Sequence, residues 1–307
     1  MSDGSGALPE RWTAVINPAA GRRRSKTRVP AVADALAGVD TDLRIEMSAD
    51  LDDAMRIARA AFGSGRGVVA CGGDGTVSTL AGIAADCDGV LAIVPAGSGN
   101  DFARQLGVPR DDPTAAAALL CSGTVGAFDL GRVEAGDGTR VWFTTVANAG
   151  FDAEANRWAN TVQSISGTPL YVLAVLRTLR SYQPRRLRVT VDDEVLETDG
   201  WLVAVANTRS YAGGMVIAPD ARLDDGQLNV CVVSRVSRAE FLRTFPKVFM
   251  GTHVKHPGVL VRRGKQVTVE MPEAVDAPEV WASGERVGPL PARAEAVAGA
   301  LRAVTSP

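Results

Sequence analysis

Three glycine-bearing loops carry polar side chains in patterns that suit phosphate chemistry. They read Asn17-Pro-Ala-Ala-Gly21, Gly72-Gly-Asp-Gly-Thr76 and Pro95-Ala-Gly-Ser-Gly-Asn-Asp101. Glycine lets a ligand approach the backbone closely, and it exposes N–H groups that bind anions. A carboxylate among such glycines, Asp74, could orient a magnesium-bound water or a phosphate. The three loops together predict a site for a phosphate-bearing ligand.

Each loop taken alone has a simpler explanation. Asn-Pro is a common opening of a turn, and a lone Gly-Asp-Gly is more typical of a tight turn in which the aspartate caps a helix. The chain contains neither G-x-x-x-x-G-K-[ST] nor G-x-G-x-x-G. The argument for a phosphate site is therefore that all three loops follow predicted strands.

The elements predicted to position these loops alternate between strand and helix. Short apolar runs predict strands over 12–16, 43–47, 67–71 and 90–94, and helical spacing predicts helices over 29–36, 51–62 and 76–85. Ser48 is the expected cap of the second helix. This alternation indicates a parallel sheet with helices on both faces, where ligands bind beyond the carboxyl ends of the strands. The three loops should open onto that edge.

After Phe128 the pattern changes to strands separated by Gly, Asp and Pro clusters. Strands are predicted over 141–146, 187–191, 201–206, 228–233 and 266–270, helices near 170–181 and 238–250, and a tail at 292–304 that is ambiguous between helix and strand. Such a pattern is typical of an antiparallel sandwich or barrel. We predict an α/β domain with a parallel sheet over 11–128, a β-rich antiparallel sandwich domain over 129–290, and a segment, 291–307, that returns to the first domain.

These loops and several downstream segments resemble one family. Asn17-Pro-x-x-Gly21, Gly72-Gly-Asp-Gly-Thr76 and Pro95-x-Gly-Ser-x-Asn-Asp-Phe-Ala103, in this order, look like the diacylglycerol kinase catalytic domain of soluble bacterial lipid kinases. Three segments further along the chain also resemble segments of this family: Asn148-Ala-Gly-Phe-Asp152, Pro219-Asp-Ala-Arg-Leu-Asp-Asp-Gly-Gln-Leu228 and Ser283-Gly-Glu285. The resemblance extends from Trp12 to the C-terminus.

The resemblance implies an ATP-dependent kinase that phosphorylates a hydroxyl of diacylglycerol or a related lipid. ATP would lie in the cleft between the two domains. By similarity, the loops at 72–78 and 17–21 hold the phosphates, and Ser48 and Ser98 add hydrogen bonds to the nucleotide. The residues expected to bind ATP are Asn17, Pro18, Gly21, Ser48, Gly72, Gly73, Asp74, Gly75, Thr76, Val77, Ser78, Ser98, Asn100 and Asp101.

The resemblance also implies the catalytic and metal-binding residues. Glu285 would be the general base, and Asp74 the second catalytic residue, because phosphoryl transfer needs charge neutralisation and one group that orients the nucleophile. A family Mg²⁺ site would use the Asp225 side chain and the carbonyl oxygens of Arg222 and Gln227, which are donors that suit a hard cation. From its residues alone, Leu223-Asp-Asp-Gly226 is more typical of a hairpin turn.

Three positions depart from the family pattern. Ala20 stands where the family usually has Ser, Ser98 stands where Thr is usual, and Ser283 replaces the aspartate of Asp-Gly-Glu. The missing carboxylate would help to organise a metal or a water near the transferred phosphate. Its loss brings the rate and the metal use of this chain into question.

Two other functions stay open at this point. An NAD kinase is the alternative enzyme, because its superfamily shares Gly-Gly-Asp-Gly-Thr and a β-rich second domain; the run Asn100-Asp-Phe-Ala103 and the terminal Gly-Glu favour the lipid branch. A catalytically silent nucleotide- or lipid-binding protein is the second alternative, and Ser283 is the residue that supports it.

Composition limits the partners and the compartment. The 307 residues are 46% apolar and 22% charged with a net charge of −2, so no nucleic-acid partner is expected. The four cysteines lack C-x-x-C spacing, and buried free thiols in a reducing cytosol are expected. The first residues lack the basic and apolar regions of a signal peptide, and no apolar run approaches the ~20 residues of a spanning helix. These features predict a cytoplasmic protein.

Two segments are candidates for peripheral contact with the inner membrane face, where a lipid substrate would be. Five positive charges lie within 22–28, on Arg22, Arg23, Arg24, Lys26 and Arg28, and would be attracted to anionic lipid or to ATP. The segment 170–182 has an apolar stripe that ends in arginines, and packing inside the domain is favoured over an interfacial position. His253-Val-Lys-His256 predicts a loop without a metal. The sequence leaves open whether the chain forms a homodimer.

Overall fold

In the computed structural model, the described residues are 6–18, 25–162, 168–273 and 278–306. The chain divides into two compact units, one of Met1–Asp129 with Gly299–Pro307 and the other of Leu130–Ala298. The first unit is α/β and the second is rich in antiparallel strands, so the predicted fold class is confirmed. The segment expected to return to the first domain begins at residue 291 in the prediction. In the structure, the part of the chain that belongs to the first unit begins at Gly299, inside the last strand.

The first unit alternates strands and helices along the chain. Its elements are β1 (Arg11–Ile16), α1 (Ser25–Ala37), β2 (Asp42–Met47), α2 (Leu51–Gly63), β3 (Gly67–Gly72), α3 (Asp74–Asp86), β4 (Val90–Pro95), α4 (Asp101–Gln105) and α5 (Pro113–Ser122). The strands pair in parallel in the order β4-β3-β1-β2. All four predicted strands and all three predicted helices are present, with ends that differ by a few residues.

The position of each strand in this sheet follows from its residues. Every residue of β3 and β4 is buried, as expected for apolar strands covered on both faces. Strand β2 lies at the edge of the order and is mostly exposed, with Ile45 and Met47 open to solvent. Trp12 of β1 is fully buried and packs against Gly67, where a side chain would collide with the indole ring.

The predicted cap of α2 is wrong. The N-cap is Asp50, whose carboxylate accepts a hydrogen bond from the Asp53 amide, while the Asp53 carboxylate accepts one from the Ala49 amide. Ser48 is buried, and its hydroxyl donates to the Ile16 carbonyl at 3.3 Å. Serine and aspartate are both good caps, so local sequence does not separate two candidates that lie two residues apart.

The second unit is an antiparallel β-rich fold, and its described residues include three α-helices and two short 3-10 helices. Its elements are β5 (Thr124–Glu134), β6 (Arg140–Phe143), β7 (Val146–Gly150), α6 (Phe151–Thr161), α7 (Thr168–Ser181), β8 (Arg185–Val191), β9 (Glu194–Ala206), β10 (Leu228–Ser234), α8 (Arg238–Thr244), 3-10 helices at Phe245–Met250 and Thr252–Lys255, β11 (Val259–Gly264), β12 (Gln266–Glu270), β13 (Glu279–Ala282), β14 (Glu285–Pro289) and β15 (Ala292–Thr305). The main strand order is β14-β13-β7-β9-β8-β12-β15, and β10 pairs with β9 and β11. Strands β5 and β15 extend past the ends of this unit.

One predicted strand is two strands in the structure. The run 141–146 breaks between Phe143 and Val146, and the buried residues Thr144 and Thr145 lie between β6 and β7. The Thr145 carbonyl accepts from the Asn207 amide at 2.8 Å, at the point where β7 takes up its pairing with β9. This change of partner is a tertiary feature that the continuous apolar run conceals.

The predicted helix over 238–250 is also divided. It is α-helical to Thr244 and continues as a 3-10 helix from Phe245 to Met250. Pro246 explains the change, because proline has no N–H to donate to the carbonyl four residues earlier. The ambiguous tail is a strand, β15, which pairs with β12 at one end and β4 at the other.

Two smaller expectations are corrected. His253 lies in a 3-10 helix and is buried, whereas a loop was expected for 253–256. The cysteines are free, but only Cys71 and Cys231 are buried, whereas Cys87 and Cys121 are exposed.

Two large apolar clusters stabilise the second unit. One lies between strands and includes Phe143, Leu187 and Val203. The other lies between the sheet and the helices, and includes Phe151 and Trp201. Full burial of such side chains contributes about 1.5–3 kcal/mol each, so these clusters can hold a site built on their surface in place.

Candidate functional site

The first residues after β1, β2 and β4 are tied to neighbouring strands. The Asn17 amide donates to the Cys71 carbonyl at 3.1 Å, the Ser48 amide to Ile16 at 2.9 Å, and the Ala96 amide to Gly72 at 2.9 Å. The predicted loops therefore begin side by side at the carboxyl edge of the parallel sheet, which is where such sheets bind ligands.

The side chain of Asn17 links the first loop to the second. Its Nδ2 donates to Thr76 Oγ1 at 3.1 Å. Asn17 is half-buried, Thr76 is buried and Pro18 is exposed. Gly21 and Ala20 lie outside the described residues, so this contact is what the structure shows of the first loop.

Asp74 links the second loop to the third. Its Oδ1 accepts from the Asp101 amide at 2.7 Å, and its Oδ2 accepts from the Asn100 amide at 2.9 Å. Asp74 is the first residue of α3, yet it provides the capping carboxylate of α4. The helix-cap explanation thus applies to a neighbouring helix rather than to its own.

The ionisation of Asp74 is shifted by its surroundings. Burial and the nearby charge of Asp101 raise its pKa to about 6, against the lowering effect of the backbone amides that bind it. A cation beside this pair of carboxyls would relieve their repulsion and favour the ionised form.

Two of the glycines are required by packing. A Cβ on Gly72 would lie 2.6 Å from the Thr76 Cβ, and one on Gly97 would lie 2.5 Å from the Gly73 Cα. Gly73 differs, because a Cβ there would meet only the Gly97 Cα, at 3.4 Å. Close packing of the loops explains Gly72 and Gly97, while Gly73 leaves open the space in which a ligand would approach the backbone.

The N-terminus of α3 presents backbone donors at this point. Gly73 is its N-cap and has no side chain to bind the first amides of the helix. The first hydrogen bond of the helix is the one that the Val77 amide donates to the Gly73 carbonyl, at 3.0 Å. The amides that precede Val77 therefore have no acceptor within the helix. The amides of the first turn, together with the positive end of a 13-residue helix, favour phosphate. Val77 and Ser78 themselves have buried side chains.

The third loop is shaped by its own side chains. Asn100 is in the left-handed region, and its amide group pairs with both the amide (3.1 Å) and the carbonyl (3.0 Å) of Gly97. Arg28 of α1 donates to the same carbonyl at 2.7 Å. Asp101 is buried and forms an ion pair with Arg104. Ser98 is exposed, so in this loop it is the hydroxyl placed for a ligand.

In the second unit, Glu285 lies at the start of β14, directly after a tight turn. The turn is formed by Ser283 and Gly284, both with positive φ (49° and 87°), which is the geometry of a two-residue hairpin. Ser283 Oγ lies 3.3 Å from Thr145 Oγ1, and Asn160 donates to the Gly284 carbonyl at 3.2 Å. These contacts fix the turn, and Glu285 is presented to solvent beside it.

The expected metal ligands lie on an irregular turn before β10. The Asp225 Oδ1 accepts from the Gln227 amide at 3.1 Å, and Oδ2 forms an ion pair with Arg263. Arg222 is paired with Asp224 at 2.9 Å. Within the described part of the chain, no three His, Cys, Asp or Glu side chains cluster as metal ligands. Oxygen donors of this kind fit a hard cation, but Arg263 competes for the same carboxylate.

Two comparisons with families of known proteins cover most of the chain. Residues 11–133 match the model described as the diacylglycerol kinase catalytic domain. Residues 145–305 match the one described as the YegS C-terminal NAD kinase beta sandwich-like domain. A diacylglycerol kinase of Mycobacterium tuberculosis (strain ATCC 25618 / H37Rv) is 37% identical over 292 residues, which cover 94% of this chain and 93% of that protein.

The chain belongs to the diacylglycerol kinase family.

More distant relatives agree with this assignment. A diacylglycerol kinase of Bacillus subtilis (strain 168) is 28% identical over 283 residues, which cover 90% of each chain. A diacylglycerol kinase structure from Bacillus anthracis str. Sterne aligns with a TM-score of 0.72 at 23% identity over 97% of both chains, which shows the shared fold. The comparisons support the lipid-kinase branch over the NAD kinase alternative, and the resemblance stated from the motifs is confirmed.

In this member of the diacylglycerol kinase family, the predicted site residues form several separate groups. Asn17, Thr76, Asp74, Asn100 and Asp101 form one hydrogen-bonded group at the carboxyl edge of the first unit. Ser48 is tied to β1 by its hydroxyl. In the second unit, the residues expected to bind the metal lie on the turn before β10, whereas Glu285 lies at the start of β14.

Two features of the site escaped the sequence analysis. The sequence indicates Arg28 only as one charge of a basic run. Its hydrogen bond to the Gly97 carbonyl forms only when the fold brings the two residues together. Asp152 belongs to a segment that resembles the family and has no predicted role, yet it is a buried carboxyl group whose pKa burial raises to about 7. The sequence does indicate it: the aspartate comes two residues after an apolar strand that ends in a glycine.

Proposed function

We propose that the protein is an ATP- and Mg²⁺-dependent lipid kinase that transfers the γ-phosphoryl group to a hydroxyl of diacylglycerol or a related lipid. The observation that carries this proposal is the group of three interlocked loops, with open backbone donors at α3, in a member of the diacylglycerol kinase family. Loops fixed in this way can hold phosphates in position, and positioning supplies much of the catalysis of phosphoryl transfer.

The first unit would bind the nucleotide. The amides of the first turn of α3 donate to phosphate oxygens, Gly73 leaves room for them, and Asn17 and Ser98 add polar contacts. Mg²⁺ would neutralise charge on the phosphates, and Asp74 with Asp101 provides the carboxyl pair that fits it. Asp74 also holds the third loop, so its role combines charge and position.

The second unit would provide the base. Glu285 is an exposed carboxylate on a rigid hairpin turn, and it would accept the proton of the attacking hydroxyl. General-base catalysis of this type contributes about 10²–10⁴-fold to the rate. The Asp225 turn would hold a second Mg²⁺ with a structural role, provided that Arg263 moves from the carboxylate.

The experiment that tests the function is transfer of labelled phosphate from ATP-Mg²⁺ to diacylglycerol in mixed micelles. We expect the wild type to produce a labelled lipid. Glu285→Gln should lose about 10²–10⁴-fold in kcat, while its affinity for ATP should equal that of the wild type. The matched control is Glu279→Gln, which removes a carboxylate from the facing strand of the same hairpin and should keep wild-type activity. ATP binding without any labelled lipid would reject the kinase function.

We also propose that the protein binds the membrane surface through α7. The inner face of α7 packs with Tyr171 and Val175, while Leu173 and Leu176 are 42% and 47% exposed. Arg177 stacks on Trp158 at 5.3 Å in the adjoining groove, so cations and apolar side chains lie together. Among the described helices, none is long and apolar enough to cross a bilayer.

Vesicle sedimentation tests this surface. Replacing Leu173 and Leu176 with Gln should weaken binding to phosphatidylglycerol-containing vesicles roughly tenfold, because the exposed apolar area is lost. Val195→Gln with Val261→Gln removes exposed apolar area from strands of the same unit and should leave binding unchanged. Equal loss in both pairs would show that α7 is not the binding surface.

A further inference from the structure

A broad groove lies on the surface of the second unit, where α6, α7 and the start of β8 meet. It has a volume of about 970 Å³ and is open to solvent. Its lining includes four arginines and one acidic residue, which are Arg157, Arg177, Arg180, Arg185 and Glu154. We refer to it as the α6–α7 groove. The chain as a whole has a net charge of −2, so this concentration of positive charge is local to the groove.

The sequence along α7 and β8 explains where this charge comes from. From residue 168 to residue 191 the chain contains five arginines and no acidic residue. Two of the five, Arg186 and Arg188, form ion pairs with Glu197 of β9 and do not line the groove. The groove therefore receives the other three arginines of an entirely basic stretch.

Two of these arginines repel each other along α7. Arg177 and Arg180 are both exposed and three residues apart, and like charges at this spacing destabilise a helix. Glu154, the acidic residue of the groove, forms an ion pair with Arg157 on its own helix. A multivalent anion held between Arg177 and Arg180 would offset their repulsion.

Aromatic rings hold two of the four guanidinium groups in place. Arg177 lies over Trp158 at 5.3 Å, and Arg185 lies over Tyr182 at 5.8 Å. A guanidinium group stacked on a ring directs its N–H groups sideways, in the fork geometry that matches the oxygens of a phosphate. Because such a side chain is already ordered, it loses less entropy when it binds a ligand.

We propose that the α6–α7 groove is a binding site for a dianionic phosphate group, which is either inorganic phosphate or the phosphomonoester head of a lipid. Arginine pairs with phosphate through two parallel charge-assisted hydrogen bonds, and a dianion balances more of the excess positive charge than a monoanion does. The binding of phosphate does not depend on the proposed kinase function. The lipid source rests on that function, because a phosphomonoester lipid is the class of product that the kinase would release.

Calorimetric titration at pH 8 and physiological salt tests the site, with dihexanoyl phosphatidate added below its critical micelle concentration. A non-hydrolysable ATP analogue with Mg²⁺ is present throughout, so that the proposed nucleotide site is occupied. We expect the double variant Arg177→Gln/Arg180→Gln to bind at least about tenfold more weakly than the wild type, because two charge-assisted pairs are lost. Absence of binding by the wild type, or equal affinity of this variant and the wild type, would overturn the proposal.

Two further variants separate a built site from a basic surface. Arg186→Gln/Arg188→Gln is the matched control, since it removes two arginines of the same stretch that lie outside the groove, and it should bind as the wild type does. Arg177→Lys/Arg180→Lys keeps the charge but loses the planar fork, and should bind several-fold more weakly than the wild type. If the lysine variant matched the wild type and the control lost as much affinity as the glutamine variant, charge alone would account for binding and the proposal would fail.

The choice of ligand tests the charge of the phosphate group. At pH 8 a phosphomonoester is a dianion, since its second pKa is about 6. Dihexanoyl phosphatidylglycerol has the same chains on a phosphodiester with a single charge, and should bind at least about fivefold more weakly. Equal affinity for the two lipids would overturn the assignment of a dianion site.

Inorganic phosphate distinguishes the two sources. Leu173 and Leu176 also line the groove and are exposed, so a lipid source predicts tighter binding of dihexanoyl phosphatidate than of inorganic phosphate. Equal affinity would identify free phosphate as the ligand. Groove-dependent binding by a protein that labels no lipid would support the site and reject the kinase function, whereas labelled lipid without groove-dependent binding would reject the site alone.

Discussion

Asp74 is a residue in which position and charge are hard to separate. Both of its oxygens accept backbone amides of the third loop, and its pKa is raised to about 6 by burial and by Asp101. Removing the side chain would therefore release the loop at 100–101 as well as remove a carboxylate. A loss of activity in Asp74→Ala alone would not show that the charge takes part in catalysis.

A pair of variants separates the two contributions of Asp74. Asp74→Ala should lower the free energy of unfolding by about 1–3 kcal/mol, because two buried amides lose their acceptor. Asp74→Asn keeps one acceptor oxygen and should lose less stability, yet we expect it to lose at least about tenfold in kcat and to require more Mg²⁺ if the charge is needed. Thermal unfolding and kcat against Mg²⁺ concentration are the measurements.

The exposed Asp52→Asn change is the control for this pair, since it removes a carboxylate from the first turn of α2. Activity that follows stability in all variants, with Asp74→Asn close to the wild type, would restrict Asp74 to positioning the loop.

At the scale of elements, the glycines of the two loops make a test of the phosphate site. Gly97→Ala should lower the free energy of unfolding by about 1–3 kcal/mol, because its methyl group would lie 2.5 Å from the Gly73 Cα. Gly73→Ala should change stability little, since its nearest contact would be 3.4 Å, but it would place a methyl group at the N-terminus of α3. We expect it to weaken ATP binding more than Gly97→Ala does.

Calorimetric ATP titration and thermal unfolding of both variants check this expectation. If Gly73→Ala binds ATP as the wild type does, phosphates do not approach the backbone at Gly73, and the proposed nucleotide site is wrong.

The sequence predicts elements well where periodicity is local. Strands β3 and β4 are continuous apolar runs, and α2 has an apolar stripe, so each is found within a few residues of its predicted ends. The failures involve distant partners. The break at Thr144–Thr145 depends on pairing with Asn207, and the contact of Asp74 with Asn100 crosses two loops. Neither partner can be identified from the residues that precede or follow it.

The same limit applies to the candidate site. Asn17, Asp74 and Glu285 are identified by motif, because turn residues and their spacing survive in sequence. Arg28 and Asp152 are not, because what distinguishes them is burial and a partner that lies far along the chain. The Pro246 break was available in the sequence, since proline interrupts an α-helix wherever it falls in its interior.

At the scale of the whole molecule, the last strand connects the chain's end to both units. The N-terminal half of β15 pairs with β12, and Arg302 and Ala303 pair with β4 of the first unit. Leu301, Ala303 and Val304 are buried. The parallel sheet of the first unit is therefore complete only when the C-terminal residues are present, although the nucleotide-type loops all lie within the first 101 residues.

Each unit also contains a carboxyl group whose pKa is raised, which makes stability depend on pH. The pKa of Asp152 is raised from 3.8 to about 7, chiefly through burial, and Tyr211 hydrogen bonds to the carboxyl group. Asp152, His253 and His256 line one apolar cavity of the second unit. Between about pH 4 and pH 7 the folded protein keeps a proton that the unfolded chain releases, so this group lowers stability as pH rises. Above the pKa that Asp152 has in the folded protein, the loss of folding free energy reaches its full value, which is of the order of a few kcal/mol.

Asp152→Asn removes this titration while keeping the shape of the side chain. We expect the Tm of the variant minus that of the wild type to be several °C more positive at pH 8 than at pH 5, because the wild type alone must ionise a buried carboxyl at the higher pH. Asp193→Asn, at an exposed turn of the same unit, should show a difference that does not change with pH. A pH-independent difference for Asp152→Asn as well would mean that Asp152 does not titrate between pH 5 and pH 8 in the folded protein, and would contradict a pKa of about 7.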